Sequence, residues 1–353
     1  MRIILVFILS VGLFISCETS KKQSKLIEKL SIGDYKEYIV SGNPSLRGVD
    51  VVDDKIVWVS GNNGTYARSI DAGDSWKCGK INSDTLVDFR DIQAFNAESA
   101  IVASAGSPAK IYKTSDGGNS WRLVYENCDS SIFINSIDFY DSKNGYAWSD
   151  PINNEFFVIR TIDDGETWDT IDVKKLPKPL YKEAGFAASG TSIISNCDGL
   201  VILVTGGNKA RIIQSCDYGS SWEAIDTPIK VGDSSFGIYS IGAIDDKTFV
   251  VAGGSWQKPD EANSNVAISK DGGKNWLLTK SFPSGFRSCI KYLNMAKILL
   301  TCGTNGVDIS TNLGDSWEKT TLGGYNTLDF SPDEKFLVFA GSNGKIAFFK
   351  LNN

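Results

Sequence analysis

One octapeptide, repeated six times, constrains this chain more than any other feature. It reads SIDAGDSW ending at Trp76, TSDGGNSW at Trp121, TIDDGETW at Trp168, SCDYGSSW at Trp222, SKDGGKNW at Trp276 and STNLGDSW at Trp317. The shared pattern is Ser/Thr-x-Asp-x-Gly-x-x-Trp, carried by Asp71, Asp116, Asp163, Asp217, Asp271 and, in the last copy, Asn312. Each position has a local physical use. The Ser or Thr ends a strand, the Asp side chain accepts hydrogen bonds from turn amides, and the Gly takes a positive φ at no steric cost. The Trp starts the next strand and packs its ring under the turn. Successive Trp residues lie 45, 47, 54, 54 and 41 positions apart, the length of one four-stranded blade in a radial all-β array.

A second rhythm runs in step with the first. Apolar, β-branched runs stop at a small residue in IVWVSG (Gly61), IVASAG (Gly106), VILVTG (Gly206), FVVAGG (Gly253), ILLTCG (Gly303) and LVFAGS (Gly341). Buried second strands stop in this way on reaching a turn. The last run, inside SPDEKFLVFAGSNGKIAFFK, has no octapeptide, and terminal repeats are commonly atypical. The early segment Tyr35 to Val40 is left over and can supply its missing outer strand. The predicted fold class is therefore all-β: a seven-bladed β-propeller with six octapeptide hairpins, closed by an N-terminal strand in the last blade. Closing the ring from both termini leaves no exposed sheet edge at the seam.

The hairpin resembles the Asp-box (BNR) hairpin of sialidase-type propellers and of the photosystem II stability/assembly factor family. In those families the box is a folding device on the blade rim, so all six copies are assigned to structure. The N-terminus carries a different signal. An apolar run from Ile3 to Ile15 is followed by Ser16 and Cys17, too short for a membrane span of about 20 residues. LFISC resembles the lipobox of bacterial lipoproteins, with Phe14 in place of the usual Leu; the alternative is an ordinary secretory signal beside an incidental Cys. The expected organisation is a lipoprotein signal peptide over 1–17 ending at a lipidated Cys17, a polar, Lys-rich tether over 18–33 and a propeller over 34–353. The location implied is the bacterial cell envelope, periplasmic or cell-surface, with the membrane reached through the N-terminal lipid.

Composition excludes several chemistries. The chain has no His, which removes Ser-His-Asp and Cys-His catalysis, imidazole-ligated metals and imidazole proton shuttling. Its formal charge is −6 with no basic block, which argues against nucleic acid as a partner. The six cysteines after Cys17 show no CxxC or zinc spacing, and neither a dinucleotide fingerprint nor a haem motif occurs. No metal and no cofactor are expected. Cys289 and Cys302 would face each other across a hairpin at 293–297, as a disulfide or as buried thiols.

Candidate site residues follow from aligning the innermost strands. These are LRGVDVV from Leu46, FRDIQAF from Phe89, INSIDFY from Ile134, IYSIGAI from Ile238, FRSCIKY from Phe286 and YNTLDF from Tyr325. Their second position holds Arg47, Arg90, Asn135, Tyr239, Arg287 and Asn326 at one level of the central channel. The fourth blade, within YKEAGFAASGTSI, aligns less clearly and offers Glu183 or Ser189. Three arginines about 8 Å apart repel by roughly 2 kcal/mol per pair at an effective dielectric near 20. Carboxylates or an anionic ligand must offset that, and Arg suits planar carboxylate recognition. Asp91, Glu183 and Asp150 are the candidate protein partners, with pKa values lowered amid the arginines. Arg211 approaches from the fourth blade. Trp256, Lys258, Asp260 and Glu261, in the long loop from Gly253 to Asn265, can cover the same mouth.

The overall resemblance, over roughly Arg47 to Lys350, is to the photosystem II stability/assembly factor-like propellers. It implies a binding or assembly module in which Arg47, Arg90 and Arg287 accept an anionic small molecule or a protein carboxylate. A sialidase-like resemblance implies instead a hydrolase of acidic sugars. Its arginine triad would be the same three residues, with Tyr239 and Glu183 as nucleophile pair and Asp150 or Asp91 as acid/base. Against that, the RIP motif of sialidases is absent and the blade count is seven rather than six. A further alternative is a purely structural scaffold whose arginines pair with neighbouring acids.

Overall fold

The computed structural model describes residues 19–30, 35–81 and 86–351. The leader, with Cys17, lies outside the described residues. Seven sheets follow one another around an axis; blades 1 to 6 each have four antiparallel strands in chain order, with two short extra strands, Glu183–Ala184 and Gly206–Gly207, added to the sheet of blade 5. Blade 1 spans 46–80, blade 2 88–127, blade 3 134–170, blade 4 193–226, blade 5 236–278 and blade 6 289–319. Blade 7 takes three strands from 327–350, and Lys36–Ile39 pairs antiparallel with Lys345–Lys350 as the fourth. The seam is closed by the N-terminal strand, as the leftover segment predicted.

Each second strand is an unbroken apolar run because neighbouring blades cover both of its faces. Val57–Gly61, Val201–Val204 and Ile298–Gly303 are buried at every residue. The octapeptides form the turns between third and fourth strands. In the second copy the Asp116 carboxylate accepts the Thr114 hydroxyl at 2.9 Å, the Ser120 amide at 2.9 Å and the Ser120 hydroxyl at 2.6 Å. Gly118, at φ +78°, sends its amide to the Thr114 hydroxyl. The last copy keeps the turn with inverted polarity: Asn312 accepts the Ser316 amide and donates its own Nδ2 to the Ser316 hydroxyl at 2.9 Å.

The turn tryptophans reach further than their own hairpins. Trp121 of blade 2 packs with Trp58, Tyr66 and Ile81 of blade 1, meeting the Trp58 ring edge-on at 6.2 Å. Trp168 of blade 3 packs with Ile101 and Ile111 of blade 2, and Trp276 of blade 5 with Ile202 and Ile212 of blade 4. Each ring therefore cements its blade to the preceding one. Polar latches on the innermost strands repeat the connection. Asp50 Oδ2 accepts the Ala94 amide, Asp91 Oδ2 the Ile137 amide and Asp329 Oδ2 the Val51 amide. These bonds tie blades 1 to 2, 2 to 3 and 7 to 1.

Residues 19–30 form the single α-helix among the described residues. Leu26 and Leu30 are buried against Leu293, Ala296 and Leu322 of blade 6 and its neighbours. The segment expected to be a solvated tether thus holds a helix docked on the propeller, because two leucines four residues apart share one helix face.

A candidate binding face at the propeller axis

The innermost strands carry the candidate residues at a recurrent irregularity. Register shifts fall at Arg47, Arg90, Asn135 and Tyr239 in blades 1, 2, 3 and 5. A β-bulge re-aims the side chain it carries, which is why this column leaves the strand alternation.

The channel is not empty. Blade 4 begins at Ile193–Ser195, so the innermost strand sought within 181–193 is displaced. The preceding segment crosses the axis instead. Glu183–Ala184 pairs with Gly206–Gly207, which pairs in turn with the innermost strand of blade 5. From there the chain touches nearly every blade. The Gly185 amide donates to Asp150 Oδ1 at 2.9 Å, and the Phe186 ring stacks on Tyr239 at 3.8 Å. Arg90 and Arg47 donate to the carbonyls of Ala187 and Ala188, at 3.3 and 3.4 Å. Thr327 donates to the Ser189 carbonyl, and the Ser189 hydroxyl to the Ser288 carbonyl. A buried loop must satisfy its backbone groups, and the surrounding blades supply the donors. The plug is made of small residues because nothing larger fits: a Cβ at Gly185 would meet Asn135 Nδ2 at 2.2 Å, and one at Gly190 would meet Asp91 Oδ1 at 2.2 Å.

The structure brings together only part of the expected constellation. Arg47 and Arg90 lie side by side at the mouth, both half-buried. Arg90 is held by Asp88 at 2.7 Å, and its guanidinium lies 5.5 Å from the Phe133 ring centroid. Arg47 makes no ion pair among the described residues. Its pKa is pushed down to about 10, first by burial and then by the charge of Arg90, with Asp88 opposing. The other arginines are structural. Arg287 is fully buried and bonds to Asp308, Asn305 and the Ser284 hydroxyl. Arg211 is buried in a two-point pairing with Glu183, bonding Oε1 at 2.9 Å. A ring of three open arginines is not present, because blade 6 and the plug each enclose a guanidinium with a carboxylate.

The carboxylates and Tyr239 are likewise engaged. Glu183 accepts Arg211, Thr205 Oγ1 and the Leu180 amide. The Tyr239 hydroxyl donates to the Ser235 carbonyl at 2.6 Å, and burial drives its pKa upward. Asp91 latches blades 2 and 3. Burial raises Asp91 well above the ordinary carboxylate range and Asp150 to about 6. The expected depression is overturned: desolvation is the largest cause at both groups and no arginine charge offsets it.

The rim of this face is aromatic and basic. Trp256 is 56% exposed, and Leu180, Tyr181 and Val231 are exposed beside the connections into blades 4 and 5. The long loop after Trp256 is fastened down: Glu261 pairs with Lys230, Asp260 accepts Asn305, and Lys258 lies 5.1 Å from the Phe236 ring. Trp256 is its exposed large apolar group.

The innermost strands carry a second polar column that the sequence-based expectations do not include. At the far end of the same strands Asp50, Asp138, Lys291 and Asp329 converge, with Lys291 and Asp329 3.1 Å apart. The signal lies in the fifth position of three innermost strands (Asp50, Asp138 and Asp329) and the sixth of FRSCIKY (Lys291). Cys289 and Cys302 do face each other in register, as two buried free thiols. Among the described residues no group of His, Cys, Asp and Glu could hold a metal ion.

No protein-family model matches the chain. A photosystem II assembly lipoprotein, Ycf48, of Synechococcus sp. (strain CC9902) is 26% identical over 221 residues, 62% of this chain and 57% of its own length. The chain therefore matches little more than half the length of that curated relative. A solved YCF48 bound to a D1 peptide superposes with a TM-score of 0.64 at 14% identity, over 90% of this chain and 94% of its own. The chain resembles the photosystem II assembly factor-like propellers. A GH74 xyloglucanase from Xanthomonas campestris superposes with a TM-score of 0.65 at 12% identity, over 90% of this chain and 54% of its own. At such identities the structural likeness shows the seven-bladed fold alone, and one fold hosts many activities.

Proposed function

We propose that this protein is an exported, lipid-anchored binding module of the assembly-factor type. It accepts a carboxylate-bearing segment of a protein partner at the mouth formed by Arg47 and Arg90. The observation that carries the reading is Arg47 itself. It is half-buried, free of any ion pair among the described residues, and joined to the fold by one long hydrogen bond to the Ala188 carbonyl. A guanidinium has five donors in a planar fork, so a carboxylate can take two of them while the plug keeps its bond. Trp256 and Tyr181 at the rim add apolar area at low entropic cost, as peptide-binding faces require. The Ycf48-type relatives support the reading, since one of them is a lipoprotein by name and another was solved with a bound peptide. Anchoring would come through Cys17. Among the described residues no helix is long and apolar enough to cross a membrane.

The test is calorimetry of the protein with acidic peptides that end in a free carboxylate, against the same peptides amidated. Binding of the free form, weakened at least tenfold by Arg47→Ala with the unfolding midpoint unchanged, supports the reading. Equal affinity for both forms, or no effect of Arg47→Ala, overturns it.

A further inference from the structure

The opposite face carries a second surface. First and second strands of each blade join on the side of the octapeptide turns, and so do the hairpins Leu293–Ala296 of blade 6 and Asp333–Lys335 of blade 7. Between these hairpins and helix 19–30 runs a groove of about 890 Å³. Leu26, Leu293, Ala296 and Leu351 line it, and Met295 stands 51% exposed at its rim. Lys21, Lys25 and Lys29 also line it, spaced four apart and so on one flank of the helix. Lys21 and Lys25 are exposed, with no ion pair among the described residues. Of the acids beside them, Asp333 pairs with Lys335 at 2.8 Å, Glu334 accepts the Met295 amide at 2.9 Å and keeps its charge, and Glu28 is exposed on the helix.

We propose that this face docks on an anionic phospholipid bilayer. Lys21, Lys25 and Lys29 meet lipid phosphates, and the Met295 hairpin enters the interface. The groove combines what such a surface selects, an apolar floor and a wall carrying the exposed lysines Lys21 and Lys25, with Lys29 bonded to the Lys350 carbonyl at its end. Position adds a second argument. The described part of the helix begins at residue 19, two positions after Cys17 and four after Ile15, where the apolar run ends. Two residues reach at most about 7 Å, and the screening length at physiological salt is about 8 Å. Any anchoring of the N-terminus to a membrane therefore holds the start of this lysine flank within the field of its headgroups. Docking here turns the octapeptide face to the membrane and leaves the Arg47 mouth pointing away. It stands independently of what that mouth binds.

The full chain, reconstituted in vesicles of neutral phosphatidylcholine or of phosphatidylcholine with 30% phosphatidylglycerol, tests this by hydrogen exchange at residues 292–297. We expect several-fold slower exchange in the anionic vesicles only, reversed by high salt. Each lysine near an anionic surface is worth about fivefold, so K21Q/K25Q/K29Q should weaken docking on the order of 100-fold. Met295→Asp keeps every lysine and should also abolish the protection, which covers a failure of the triple variant to fold. Equal exchange in both vesicles overturns the proposal. Protection that survives both substitutions does so as well. Peptide binding at the Arg47 mouth should not change in either variant, so the two proposals fail separately.

Discussion

Four arginines of one chain have met three different fates, and the difference lies in what encloses each one. Arg287 is sealed with Asp308 inside blade 6, and removing one partner of such a pair leaves a charge without compensation. Arg287→Ala should therefore cost about 3–5 kcal/mol of stability, read by denaturant unfolding. Arg47→Ala removes a half-buried group with no ion pair among the described residues and should change stability by less than about 1 kcal/mol. The reverse order would move the structural role to Arg47. Asp150 gives a pH signature. Its folded pKa, about 6, lies above the ordinary value because burial disfavours the anion. The neutral acid is favoured in the folded state, so this contribution is complete below about pH 4 and is lost as pH rises through 6. Asp150→Asn can still accept the Asn135 side chain and the Gly185 amide. It should raise stability at pH 8 by about 1–2 kcal/mol and leave it unchanged at pH 4. Thermal unfolding at both pH values checks the sign, and equal effects at both would refute it.

At the level of elements, the octapeptide is a joint between blades as much as a turn. Trp121 is 6% exposed and packs on the preceding blade. Trp121→Ala should cost about 3–5 kcal/mol, far more than a turn residue whose ring served only its own hairpin. A loss below about 1 kcal/mol in denaturant unfolding would show that the interblade contact is weak. In the Asn312 turn the Ser316 hydroxyl accepts where its five counterparts' side chains donate to an Asp. Asn312→Asp restores the common polarity and should stabilise by a few tenths of a kcal/mol, measured as a rise in the unfolding midpoint.

Over the whole molecule, closure depends on both ends of the chain. Lys36–Ile39 completes blade 7, and Asp329 latches that blade to blade 1. A chain that begins at residue 41 should lose a cooperative transition and aggregate through the exposed strand Lys345–Lys350; scattering during thermal unfolding reads this, and an unchanged transition would show that the ring closes without the strand. Blade number, blade order and the closing strand were legible in the residues because Ser/Thr-x-Asp-x-Gly-x-x-Trp acts within eight residues, and local chemistry leaves a local record. The second strands were legible because burial on both faces writes an unbroken apolar run. The level of Arg47 and Arg90 at the mouth was legible from strand alignment for the same reason. The fate of Arg287, Arg211, Glu183 and Tyr239 was not. That of Arg287 is decided by Asp308 and Asn305 within blade 6, and the others by a plug at 183–191 whose trace is the surplus length between Trp168 and Trp222. Which carboxylate meets which guanidinium depends on chain segments brought together across the axis, and desolvation, which raised Asp91 and Asp150, exists only once the blades have closed around them.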